Sequence, residues 1–193
     1  NESTSKEVMK CIESNFIGIY NLIILAKKYN IKEYLGMGSI NSLNSSSIYG
    51  LTKSIAELFT LENGYSFISS PNIIGSKNSV LDNWYNQMKN NLALTVTDVN
   101  CIRYFVETKT IINLIHNTPY SKGLIHPDIV YSISLGDLLD SFKEFFSYDK
   151  VNFLNLQEDE ILEYKLPFES KILKPSKEEI KSLIKNWRSN YQS

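Results

Sequence analysis

Tyr49-Gly50-Leu51-Thr52-Lys53 sets a phenol and an ammonium four residues apart, which on a helix places them on one face, a turn from each other. A free tyrosine titrates at about 10, and a neighbouring ammonium favours its phenolate, a base able to take the proton of a hydroxyl group. With 12 tyrosines in the chain the spacing by itself is weak, and a second match stands at Tyr85 and Lys89. Context separates the two. A buried-strand pattern over Glu33 to Gly38 runs into Ser39, a Ser/Asn-rich loop follows to Ser47, and Tyr49 then opens a helix. Tyr85 has no such setting and reads as an ordinary surface pair. A serine hydroxyl at a strand end can hydrogen-bond a reacting oxygen while the tyrosine takes its proton. That division of labour suits hydride transfer between a hydroxyl-bearing carbon and a nicotinamide, whose cationic ring also favours the phenolate. The plainer alternative is that Tyr49 packs and Lys53 is a solvated helix charge.

The elements needed to hold these groups are legible around them. Phe16, Ile19, Tyr20, Ile23, Ile24 and Ala26 recur at helical spacing, and Lys27-Lys28 suit the negative end of that helix. A helix is expected from Tyr49 to Leu61, and a strand at Ser66-Phe67-Ile68 that ends at Ser69-Ser70-Pro71. Helix, strand, helix, strand is the order of a parallel sheet with crossovers, in which sites lie at the carboxyl ends of strands. Farther on, helices are expected at Val80 to Asn91, Thr108 to Asn117 and Leu135 to Phe146. Short strands are expected at Thr95-Val96, Ile129 to Tyr131 and Val151 to Leu154, and a terminal helix after Pro175 with Ser176 as its cap. The fold class expected from this order is α/β with a parallel sheet, and the family resemblance carried by the motifs below implies the C-terminal part of a Rossmann-like doubly wound parallel sheet plus a small α/β substrate-binding lobe. Residues 1–70 would form the second half of the Rossmann-like domain, and residues 71–193 the substrate-binding and C-terminal region, interleaved with the sheet.

Composition excludes several classes. The 20 basic and 21 acidic residues leave a formal net charge of -1, so no global field draws nucleic acid or an anionic membrane. Cys11 and Cys101 form no CxxC, and His116 and His126 have no metal-ligand spacing around them, so no structural metal is expected and a reducing cytoplasm is the default setting. The longest apolar run, Ile17 to Ala26, is interrupted by Asn21 and reads as too short to span a bilayer, with no signal peptide before it.

Taken in order, Asn15-Phe16-Ile17-Gly18, Asn21-Leu22-Ile23, Ala26, Ser39, Ile48-Tyr49-Gly50-Leu51-Thr52-Lys53 and Glu57 resemble the extended short-chain dehydrogenase/reductases. More closely they are similar to the polysaccharide-biosynthesis branch that includes UDP-N-acetylglucosamine 4,6-dehydratases. Asn72-Ile73-Ile74-Gly75-Ser76 resembles its Asn-x-x-Gly-Ser loop, and Thr97-Asp98 with Arg103-Tyr104-Phe105 its Thr-Asp…Thr-Arg-Phe stretch. Ser134-Leu135-Gly136-Asp137-Leu138 fits the helix start that follows. The resemblance runs from about residue 10 to 166. It implies a nucleotide-sugar epimerase or dehydratase using NAD or NADP in surface-polysaccharide or glycan synthesis. Tyr49 would be the base, Lys53 its partner and a ribose ligand, and Ser39 the second hydroxyl. Tyr49, Lys53 and Ser70 would touch the cofactor, while Asn72 and Arg103 would hold the diphosphate and nucleotide of a UDP-sugar, all round one cleft. Asn72 could instead cap a turn, and Arg103 could pair with Asp98 or Glu107.

Three departures qualify what the resemblance implies. Where the dehydratases carry Asp-Lys after the catalytic hydroxyl, this chain has Ile40 and Asn41, so the usual acid and base of water elimination are missing. The Gly-x-Arg-x-Gly-Glu-Lys region corresponds to Asn155-Leu156-Gln157-Glu158-Asp159-Glu160-Ile161 without its arginine, and the Arg-Tyr-Gly before the Asn loop is Ser69-Ser70-Pro71. No glycine-rich dinucleotide turn occurs among the 193 residues. A missing N-terminal half or second chain is therefore expected to supply it, and a homo-oligomer is expected through the helices of Phe16 to Lys28 and Tyr49 to Leu61. A catalytically degenerate nucleotide-sugar-binding or interaction protein of the same fold is the competing expectation, and a generic α/β interaction domain a third.

Overall fold

The apolar periodicity of the first residues produces a helix in three segments: α1 (Glu2–Ile12), a π-helical turn (Glu13–Ile17) and α2 (Gly18–Lys28). The structure is a computed structural model that describes residues 2–40, 47–117, 123–155, 162–163, 166 and 168–190. The chain continues through β1 (Leu35–Ser39), α3 (Ile48–Glu62), β2 (Ser66–Ser70), β3 (Asn72–Ile73), α4 (Val80–Lys89), β4 (Leu94–Val96) and β5 (Ile102–Val106). It ends with α5 (Thr108–Asn117), β6 (Gly123–Ile125), β7 (Ile129–Ser134), α6 (Leu135–Phe146), β8 (Val151–Phe153), β9 (Lys171–Leu173) and α7 (Lys177–Asn190). Serine hydroxyls fix several helix starts: Ser47, Ser79 and Ser134 accept from the amides of Gly50, Asp82 and Asp137. At α7, Ser176 and Glu179 bond each other's amides, a capping box.

The chain divides into two compact units. The first contains Asn1–Ser70, Asn113–Pro127 and Lys165–Glu169. Its sheet is parallel, in the order β1-β2-β6, with Ser39 in register with Ser70 and Ile68 with Ile125. β2 is buried along its whole length, and α3 packs on β1 and β2. Gly36 and Gly38 make that packing possible. A Cβ at Gly36 would stand 2.5 Å from the Phe67 ring and one at Gly38 2.8 Å, so the bare backbone of β1 is where that ring lies. Ile23, Ala26 and Tyr65 form the core beside Ile19, Tyr34 and Phe59.

The second unit contains Pro71–Ile112, Asp128–Tyr164 and Ser170–Ser193. Its main sheet, β3-β5-β7-β9, is mixed: β5 runs parallel to β3 and antiparallel to β7, and β7 parallel to β9, while β4 and β8 form a separate parallel pair. Trp84, Phe142, Ile180 and Ile184 are fully buried in one apolar cluster. Glu144 on α6 receives both Lys177 and Lys181 of α7.

Several expectations change. β3, β5, β6 and β9 lie outside the expected strands, and β9 rather than β8 is the last. Tyr85 is a core residue, not half of a surface pair: its ring meets Trp187 edge-on at 5.9 Å, although Lys89 does lie over it at 5.6 Å. The first helix is also longer than its apolar run suggests. Lys6–Lys28 is continuous and, by length and composition alone, apolar enough to cross a membrane.

Candidate functional site

In the first unit, β1 delivers Ser39 to the carboxyl edge of the sheet, side by side with Ser70 at the end of β2. Residues 40–47 lead from there to α3. Ile40 is 1% exposed, so the position that follows Ser39 is an apolar core residue. Asn41 lies outside the described residues.

Tyr49 is the second residue of α3 and is 52% exposed. Lys53, one turn on, holds its Nζ 5.8 Å from the centroid of the Tyr49 ring. The first turn of α3 is tied down from two directions. Ser47 Oγ accepts from Gly50 N at 3.1 Å, and Thr52 Oγ donates to Tyr49 O at 2.9 Å. Thr52 in turn accepts from Asn15 Nδ2 at 3.1 Å, a buried bond that reaches back to the π-helical turn. A π-turn pushes one residue out of helical register, and here it carries a buried asparagine against the helix that bears Tyr49. Four residues beyond Lys53, Glu57 is 4% exposed. Its Oε2 has no hydrogen-bond partner among the described residues, and burial raises its carboxyl above the usual range.

In the second unit, Asn72 on β3 stands in register with Phe105 on β5, and its Nδ2 donates to Tyr104 O at 3.1 Å. Arg103, two residues before Phe105, donates from Nη1 to Ile102 O at 3.0 Å and to Leu162 O at 3.3 Å. Nearby, Asp98 accepts from Asn100, and Glu107 from the Tyr131 hydroxyl at 3.4 Å. Tyr104 donates to Glu163 at 3.1 Å, and desolvation first, then this carboxylate, raises its phenol above the usual value. Residues 156–161, the counterpart of the family's arginine-bearing region, lie outside the described residues.

The first unit thus brings Tyr49 to Lys53 and Ser39 to Ser70, and the second pairs the strand of Asn72 with the strand that carries Arg103. Asn15 and Thr52 escaped sequence reasoning as a pair. A polar residue within an apolar helix was the one signal available for Asn15, and nothing local predicts its partner.

Comparison with known proteins bears on the family and the fold. A family model described as polysaccharide biosynthesis protein matches residues 3–146. The capsular polysaccharide biosynthesis protein CapD of Staphylococcus aureus is 26% identical over 104 residues, 50% of this chain and 17% of that protein. A Methanocaldococcus jannaschii protein named uncharacterized membrane protein MJ1061 is 23% identical over 124 residues, 59% of this chain and 37% of its own. The chain therefore spans well under half the length of both relatives. Among solved structures, the UDP-glucose 4-epimerase of Thermus thermophilus in complex with NAD superimposes with a TM-score of 0.74 at 13% identity, over 91% of this chain and 70% of that one. At that identity the likeness speaks for the fold, which is the Rossmann-like α/β fold anticipated from the order of elements. Together with the ordered motifs from Asn15 to Asp137, the match over residues 3–146 establishes that this chain belongs to the polysaccharide biosynthesis protein family.

Proposed function

We propose that this chain carries the base and the substrate-binding residues of an NAD(P)-dependent enzyme that oxidises or reduces a UDP-linked sugar, of the epimerase/dehydratase type, in polysaccharide synthesis. The observation that carries this is Lys53 Nζ at 5.8 Å from the Tyr49 ring on the helix that follows Ser39. Residues 1–70 act as the catalytic part, and residues 71–193 contribute Asn72 and Arg103 to substrate binding.

Tyr49 takes the sugar hydroxyl proton, Lys53 favours its phenolate, and Ser39 hydrogen-bonds the reacting oxygen. Tyr49, Lys53 and Ser70 fit the nicotinamide end of a dinucleotide, two of them on a helix start and one at the carboxyl end of a parallel strand. That cofactor, when bound, supplies the hydride acceptor. Its diphosphate calls for a glycine-rich turn, which the 193 residues do not contain, so another segment or a second polypeptide supplies it. Buried Ile40 can neither give nor take a proton, which favours epimerisation or carbonyl reduction over loss of water.

Self-association belongs to the same proposal. Tyr20 and Ile24 on α2, with Ile48, Leu51, Ile55 and Leu58 at helical spacing on α3, are exposed apolar side chains. Phe59 joins the two helices by ring contacts to Phe16 and Tyr20 at 6.0 and 5.4 Å. A second copy would cover this surface, in a cytoplasmic setting where nucleotide sugars are made. The test of function is calorimetric titration of UDP-N-acetylglucosamine and NAD into the chain joined to its glycine-rich half. Binding of both supports the proposal, and binding of neither contradicts it.

A further inference from the structure

Gly75 has φ of +79°, a conformation that side-chain-bearing residues rarely adopt. An added Cβ there would stand 1.8 Å from Trp187 Cδ1 and 2.3 Å from its Nε1, so the indole of α7 fills the volume a side chain would take. The backbone at Gly75, three residues beyond Asn72, lies directly on that ring. Trp187 is 6% exposed, and its ring also meets Tyr85 of α4 edge-on at 5.9 Å. Arg188, the next residue, covers Tyr85 at 4.4 Å. The loop between β3 and α4 is therefore wedged by one side chain that touches both the loop and the helix it enters. On another side it borders open space: Ile74, Gly75, Thr108, Lys109 and Trp187 line a cavity of about 720 Å³.

The loop carries bonds of its own, among them Asn78 N to Asp82 Oδ2 at 2.8 Å and Ser79 N to Ser76 O at 3.0 Å. Ile74 N donates to Val106 O at 2.9 Å, Ser76 N to Ile73 O at 3.2 Å, and Thr108 Oγ reaches Ile74 O at 3.5 Å. α7 is fixed by its capping box and by Lys177 and Lys181 on Glu144. It also lies beyond the residues that the family match covers.

We infer that Trp187 is a positioning residue for the Asn72–Gly75 loop and thereby sets the affinity for the nucleotide sugar. This rests on the assignment of Asn72 to the substrate, which the test below separates from the clamp itself. A loop already held in its binding conformation has less left to order on association, so a loop that loses its wedge loses affinity without any contact to the ligand being removed.

Two readouts on the same chain test it. Hydrogen exchange should quicken at least about tenfold at the Ile74 and Ser76 amides in Trp187→Ala, relative to core amides of α6, because local opening of the loop is what exchange reports. Ile184→Val, a fully buried change on the same helix that removes one methyl group and keeps the Trp187 indole, should leave those amides alone. Unchanged exchange in Trp187→Ala overturns the clamp. Calorimetry with UDP-N-acetylglucosamine should then show at least tenfold weaker binding for Trp187→Ala, with Trp187→Phe and Ile184→Val close to the parent. Equal affinity despite a loosened loop overturns the positioning role. A parent chain that binds no nucleotide sugar refutes the assignment of Asn72 and with it the effect on affinity, while the exchange result still decides the clamp.

Discussion

Lys53 Nζ stands 5.8 Å from the centroid of the Tyr49 ring, held there by a helix whose first turn is tied to Asn15 through Thr52. The phenolic oxygen is the one atom of Tyr49 assigned a chemical role. Tyr49→Phe keeps the ring, which is half exposed and closes no core, and removes the titrating group. Turnover should fall by about 10²–10⁴-fold while UDP-sugar affinity changes by no more than about twofold, as read by steady-state rates beside calorimetry. A parallel loss of affinity would show that Tyr49 binds rather than reacts.

Stability of the first unit should depend on the bare backbone of β1. Gly36→Val would drive a side chain into the Phe67 ring at 2.5 Å, on a strand whose neighbour β2 is wholly buried. Overpacking of this kind costs about 1–3 kcal/mol, so thermal unfolding should come at least several degrees earlier. An unchanged melting temperature would mean that Phe67 has somewhere else to go.

The apolar surface of α2 and α3 should mediate association. Light scattering should give a mass of twice 22.2 kDa, and Leu58→Asp, which puts a charge in the middle of the exposed stripe, should shift it to a single copy. Cosedimentation of the unmodified chain with lipid vesicles, abolished by Leu22→Asp, would instead assign the long helix Lys6–Lys28 to a membrane.

Glu144 supplies a pH test of α7. Lys177 first, then Lys181, hold its carboxyl down from 4.5 to about 2. A carboxyl depressed in the folded state contributes stability above its unfolded value and loses it as pH falls through the folded one. The melting temperature should therefore decline between about pH 4.5 and pH 2 more steeply in the parent than in Glu144→Gln. The group is exposed, so about 1 M salt, with a screening length of about 3 Å, should reduce the difference. Identical slopes at low salt would remove the ion pairs from any role in anchoring α7.

What the sequence revealed follows the range of the interactions concerned. α5 and α6 run over the residues expected, Thr108 to Asn117 and Leu135 to Phe146, because caps and a 3.6-residue period are local. The Tyr49–Lys53 approach is local for the same reason. β3, β5, β6 and β9 are short, and β5 carries Arg103 and Tyr104 among its apolar residues, so no alternation announced them. Their existence depends on partners far along the chain, as with Asn72 and Phe105 or Tyr131 and Leu173. Tyr85 looked like a surface residue because its partner ring, Trp187, comes from the last helix. The bond of Asn15 to Thr52 needs a π-turn that no propensity signals.

The most direct test joins the chain to a glycine-rich βαβ half and incubates it with UDP-N-acetylglucosamine and NAD, followed by mass spectrometry and chromatography of the sugar. A product of unchanged mass but altered stereochemistry, or one changed by two hydrogens, and absent with Tyr49→Phe, is the predicted result. Rapid appearance of a product lighter by one water and dependent on Tyr49 would contradict it, because another acid-base pair would then have to replace what Ile40 and Asn41 lack.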